Sequence, residues 1–181
     1  MGAGIQVLPN SSRVLKHWGL EPALTPHMTH PRVCNFLHWK GEIISSLSFV
    51  DSAAQYPGTW YRDFHRADLQ RCLLERAEEL GAKITCAARV VDIVPDEDGA
   101  MATAVVSDGC LWRGDLVVSA DGVFGKLTEV MLKRPDPPIK TGDLAYRLLL
   151  STEEMLKDPE LRGFVTDPQV NYWLGPDKHA G

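Results

Sequence analysis

The sequence predicts an α/β fold of mixed α+β character, with a helix-separated layer and a second, mostly antiparallel sheet. Three observations carry this. A long amphipathic helix pattern ends on a glycine and is followed by a short β-prone run. An apolar run, Asp115–Ala120, closes on Asp121-Gly122 and leads into another helical pattern. Between and around these lie strand-like runs joined by tight turns, the mark of hairpins.

In chain order, Asn10 or Ser11 can cap a first helix, with Val14, Leu15 and Trp18 on one side and Gly19 as its stop. Pro22, Pro26 and Pro31 make residues 22–32 a loop or a single turn. Val33–Trp39 and Glu42–Phe49 form a hairpin turning at Lys40-Gly41. Leu69, Leu73, Ala77 and Leu80 define a helix over about 66–80, stopped by Gly81. Lys83–Ala87 reads as a short strand after it, the order a parallel crossover needs. Arg89–Val94, Met101–Ser107 and Cys110–Arg113 make an antiparallel meander through turns at Asp96–Gly99 and Asp108-Gly109. Asp115–Ala120 reads as a strand buried on both faces, in one α/β layer with the long helix, and Val123–Leu132 as a helix after it. Beyond the prolines at 135, 137 and 138, Leu144–Leu150 reads as a strand, Thr152–Lys157 as a short helix and Val170–Leu174 as a last strand.

Composition narrows the function classes. Nineteen Lys and Arg against 24 Asp and Glu leave a formal charge of −5, which disfavours general binding to nucleic acid or anionic membrane. Five tryptophans and clustered apolar residues exclude a disordered chain. No apolar run approaches the ~18 residues of a membrane span. The first residues carry no secretory pattern, and Gln6 stands where a myristoylation motif wants Ser or Thr. Cys34, Cys72, Cys86 and Cys110 form no CxxC and no regular framework, which points to unpaired thiols in a reducing, cytoplasmic setting.

Several residues could carry chemistry. Asp121-Gly122, at the carboxyl end of an expected strand, reads two ways: a site for a phosphate or sugar-alcohol group, or a plain turn with an Asp cap. Gly2-Ala3-Gly4-Ile5 could let backbone approach a flat ring, or be an ordinary terminus. Arg66, at the start of the long helix, could pair with a pyrophosphate or stay solvated beside Asp68. His27, His30 and Cys34 have metal-binding side chains but lack a clear fourth ligand, so no metal is expected. GxSxG, Walker A and HExxH motifs are missing, which leaves serine-hydrolase, P-loop and zincin readings without a basis.

These segments occur in an order that resembles one family. GAGIQVLPNSSRVLKHWGL, HRADLQRCLLERA, DLVVSADGVFGKLTEVM, TGDLAYR and VNYWLGPDKHAG together resemble the class A, salicylate hydroxylase-like FAD-dependent monooxygenases. The resemblance implies an incomplete FAD-binding α/β layer plus a mostly antiparallel substrate-side sheet. It divides the chain into 1–135, whose 33–50 hairpin reaches the sheet, and 136–181. It implies FAD as cofactor, NAD(P)H as co-substrate, and transfer of one oxygen atom of O₂ to a small, aromatic substrate.

By position, Gly4 and Ile5 would lie near the flavin ring, Arg66 near its phosphates, and Asp121 and Gly122 near its ribityl–phosphate part. Tyr172, Trp173 and His179 would lie on the substrate side. The family's GxGxxG strand–helix and its GDAAH segment have no counterpart in this sequence, and Ser119 and Gly125-Lys126 depart from the usual Asp-Gly segment. The resemblance thus implies a central fragment. Two other functions remain open at this stage: a non-catalytic remnant unable to hold FAD alone, and another FAD-dependent oxidoreductase on the same scaffold.

Overall fold

A computed structural model describes residues 3–181, so Gly2 of the glycine-rich start lies outside the described residues. The chain opens with β1 (Gly4–Val7) and α1 (Pro9–His17). Pro9 occupies the first turn, where its missing N–H is no loss, so α1 begins one or two residues before the expected Asn10 or Ser11 cap. Gly19 adopts a left-handed φ of +75°, and Leu20 N–H reaches back to the Leu15 carbonyl at 3.0 Å, closing the helix. A short helix α2 (Glu21–Leu24) and a 3₁₀ turn (Thr25–His27) follow, where a loop or turn was expected.

The expected hairpin forms from β2 (Val33–His38) and β3 (Ile43–Ser48), with Gly41 at φ +97° in its turn. Helix α3 (Phe49–Ala54), capped by the Ser48 side chain, was not expected. Strand β4 (Arg62–His65) pairs antiparallel with β1 and runs directly into α4 (Arg66–Glu79), the expected long helix. Its inward face is Leu69, Cys72 and Leu73 rather than a stripe ending at Leu80, which is exposed.

The expected meander forms as β5 (Val90–Pro95), β6 (Ala102–Val106) and β7 (Leu111–Gly114), followed by α5 (Leu127–Leu132). After it come α6 (Thr152–Lys157), as expected, α7 (Arg162–Thr166), β8 (Val170–Gly175) and β9 (Lys178–Ala180).

Two compact units result. One joins the residues up to Ala82 with Tyr146–Gly181; the other is Lys83–Ala145. In the first, Val7, Leu20, Leu24, Trp60, Phe64 and Leu69 form the core beneath the β1–β4 pair. The same unit holds a four-stranded sheet of order β3-β2-β8-β9, in which only the β2–β8 pairing is parallel. The mixed α/β class and the mostly antiparallel sheet are therefore as expected. The second unit is built on the β5-β6-β7 sheet.

Three expected strands are corrected. Lys83–Ala87 is irregular, interrupted by Ala87 at φ +57°. Asp115–Ala120 is irregular, with Leu116 and Val118 exposed, because among the described residues no strand lies beside it to share a ladder. Leu144–Leu150 is irregular for the same reason, and Leu144 is 99% exposed. The expected Val123–Leu132 helix shrinks to its second half, because Gly122 at φ +76° and the Gly125 N–H bond to its carbonyl make a turn first.

Candidate functional site

The junction of β1, β4 and α4 gathers three of the residues singled out from sequence. β1 sets Gly4 opposite His65 and Ile5 opposite Phe64. Gly4 is exposed, and a Cβ there would meet nothing closer than the Phe64 carbonyl at 3.9 Å, so its surface is open to a flat group. Ile5 points the other way and packs on the core.

Arg66 is the first residue of α4. Its backbone N–H donates to the Ala3 carbonyl at 3.1 Å and its Nε donates to the Gly4 carbonyl at 3.3 Å. The exposed guanidinium is thereby held at the start of a 14-residue helix that has no side-chain cap. Helix N-termini carry partial positive charge, and a fixed guanidinium adds a whole one. This corner can receive a phosphate, and the residues present fit that part of a dinucleotide cofactor.

Asp121 and Gly122 lie in the other unit. The Asp121 carboxylate accepts from Ser119 Oγ at 2.5 Å and from Leu127 N–H at 3.4 Å. The Ser119 hydroxyl, and next the N–H donors around Leu127, hold its carboxyl below the usual range. Gly125 makes this possible, since a Cβ there would fall 2.1 Å from Asp121 Cγ. Asp121 thus acts locally as the tie for the start of α5.

On the four-stranded sheet, Tyr172 stacks on Phe36 with ring centroids 5.6 Å apart. His179 sits opposite Leu174, so it shares a face with Tyr172. Trp173, opposite Ala180, lies on the other face.

Two features went unread in the sequence. Asn35, buried in β2, donates through Nδ2 to Gln169 Oε1 at 2.8 Å and Asn171 Oδ1 at 2.9 Å, and accepts from Ser46 Oγ at 2.7 Å. These bonds lock the parallel β2–β8 register. A lone amide inside the apolar run V-C-N-F-L was the available signal.

The second is Tyr61-Arg62-Asp63, charged groups set among aromatic residues just before the long helix. Tyr61 is buried, stacked on Phe49 at 3.9 Å, and its hydroxyl has no hydrogen-bond partner of good geometry. Burial, and then the neighbouring Asp63 charge, push this phenol well above its ordinary value. Burial also raises the Asp63 carboxyl, one of whose oxygens is unpartnered.

No family model matches the chain. Among curated proteins, it is 37% identical to the FAD-dependent monooxygenase OpS4 of Beauveria bassiana, over 99% of this chain and 42% of that protein. It is 32% identical to the 3-amino-4-hydroxybenzoate 2-monooxygenase of Streptomyces cremeus, over 99% of this chain and 43% of that protein. The chain thus spans about two fifths of the length of these relatives. Among solved structures, the crystal structure of FqzB matches with a TM-score of 0.68 at 25% identity, covering 96% of this chain and 39% of that one. The structure of Klebsiella pneumoniae HpxO complexed with FAD and uric acid matches with a TM-score of 0.56 at 26% identity, covering 68% and 31%.

Proposed function

This chain is a homologue of FAD-dependent monooxygenases along nearly its whole length, and we propose that it supplies part of the flavin corner and the substrate-side sheet of such an enzyme. The reaction would be hydroxylation of a small aromatic compound at the expense of NAD(P)H and O₂. The observation that carries the reading is Arg66, held by the Gly4 carbonyl at the uncapped start of α4.

In this reading Arg66 and the first N–H groups of α4 hold a phosphate of FAD, and Gly4 leaves room for the flavin ring beside β1. Asp121 and Gly122 contribute toward the ribityl–phosphate part if the Asp121 carboxylate leaves Ser119 and Leu127 N–H. FAD, when bound, supplies the redox and oxygen chemistry. The chain's own residues orient, exclude water and bind. Tyr172 and His179 face the substrate from one side of the sheet, while Trp173, also expected on the substrate side, lies on the opposite face. Residues 1–135 serve the flavin and 136–181 the substrate, with the 33–50 hairpin reaching between. A cytoplasmic location suits four unpaired thiols. No helix among the described residues is long and apolar enough to cross a membrane.

The test is a titration of this chain with FAD, followed by flavin fluorescence. Because the chain spans about two fifths of its relatives, weak binding is expected, without stoichiometric flavin after purification. Arg66→Gln should weaken the binding about tenfold or more, the effect of one charge-assisted hydrogen bond. Equal affinity of the variant and the parent would refute the role given to Arg66.

A further inference from the structure

The Asp121 carboxylate is exposed, yet both of its oxygens are engaged by its own turn. Ser119 Oγ donates to Oδ1 at 2.5 Å, and the Leu127 N–H donates to Oδ2 at 3.4 Å. No cation meets the charge. Among the described residues Asp121 forms no ion pair, and Lys126, the nearest lysine in sequence, is paired with Glu129 at 3.1 Å.

The two bonds are unequal. The O–H···O⁻ bond from Ser119 is short and charge-assisted, whereas 3.4 Å is long for an N–H donor. The Ser119 bond is also the largest cause that holds this carboxyl below its ordinary value. The carboxylate is therefore an acceptor of alcohol O–H that a hydroxyl of the same chain already fills. Space beside it is open: Gly122 stands at φ +76°, and a Cβ there would meet nothing within 4 Å.

We propose that Ser119 is a latch on Asp121, its hydroxyl standing in for a ligand hydroxyl, and that a polyol chain, as in the ribityl chain of a flavin, binds by displacing it. The exchange balances: one O–H···O⁻ bond replaces another, the Ser119 hydroxyl turns to water, and no proton leaves or enters the carboxylate. A ligand with one hydroxyl only equals what Ser119 already provides. Adjacent hydroxyls can use Oδ1 and Oδ2 together, so the latch favours polyols over simple alcohols. Ser119 is in this sense a positioning residue that sets the affinity threshold of Asp121. The choice of a flavin as the ligand rests on the monooxygenase reading; the latch itself stands on the 119–127 turn.

Two measurements on the intact chain test it. Carboxyl NMR follows the titration of Asp121. Ser119→Ala should move its midpoint up toward the ordinary carboxylate value, and Ser119→Thr, which keeps the hydroxyl, should not. The chain is then titrated by flavin fluorescence with riboflavin, which carries the ribityl hydroxyls and no phosphate, and with lumiflavin, which has the ring and no such chain. Ser119→Ala should bind riboflavin about threefold to tenfold more tightly than the parent, the effect of one hydrogen bond no longer displaced. Lumiflavin binding should not change, and Asp121→Asn added to Ser119→Ala should remove the gain. Ser119→Gly takes the place of Ser119→Ala if that variant fails to fold. An Asp121 titration unmoved by Ser119→Ala would overturn the latch. So would riboflavin affinity that is equal or undetectable in both proteins, a gain shared by lumiflavin, or a gain kept without the Asp121 carboxylate. Riboflavin has no phosphate, so a failed Arg66→Gln test with FAD beside a positive riboflavin result refutes the Arg66 assignment alone, and the reverse pattern refutes the latch alone.

Discussion

Replacing Asn35 by alanine removes three hydrogen bonds from one buried side chain: two donated to Gln169 and Asn171, 134 and 136 residues away, and one accepted from Ser46. At about 0.5–1.5 kcal/mol each, their sum is about 1.5–4.5 kcal/mol. Ser46 and Gln169 are exposed and regain water in the variant, so the loss should fall toward the lower half, about 2 kcal/mol. Ser46→Ala breaks only one bond at an exposed residue and should cost under about 1 kcal/mol. Asn35→Ala and Asn171→Ala should be non-additive, because they share a bond. Urea denaturation of the variants measures all of this. An Asn35→Ala loss no larger than that of Ser46→Ala would refute the view that Asn35 locks the β2–β8 pairing.

Other outcomes follow from single features. Leu24 is fully buried, and Leu24→Ala should destabilise the chain by about 2–5 kcal/mol in the same assay. Gly125→Ala should push the Asp121 carboxylate off Leu127 N–H, seen as faster hydrogen exchange of the Leu127 amide. Asp63 has a raised pKa in the fold, so the folded state binds its proton more tightly than the unfolded chain does. Stability should therefore be lost as pH rises from the ordinary carboxylate value through the raised one. Asp63→Asn should flatten that part of the pH–stability curve and be the more stable protein at neutral pH. A variant less stable than the parent at neutral pH would contradict this.

Elements whose partners are close in sequence were legible. The β2–β3 hairpin and the β5-β6-β7 meander have turn glycines at positive φ, at Gly41, Gly99 and Gly109, so turn chemistry and strand pattern agreed. The α4 helix was equally clear from its periodicity and Gly81. The expected strand at Asp115–Ala120 misled because an apolar run signals burial, whereas a strand also needs a neighbour for its ladder. β1 was missed because only its pairing with β4, some sixty residues away, makes G-I-Q-V a strand. At the site, Arg66 and Gly4 came from motif order, and the structure adds the bond between them. Tyr61 went unread because its interest lies in a hydrogen-bond partner it lacks, which no spacing in sequence reveals.

The most direct test of the account is hydrogen–deuterium exchange of this chain with and without saturating FAD. The Arg66 reading predicts added protection in β1 and in the first turn of α4, and loss of that protection in Arg66→Gln. Protection elsewhere with β1 and α4 unchanged would contradict it, as would the same footprint in the variant.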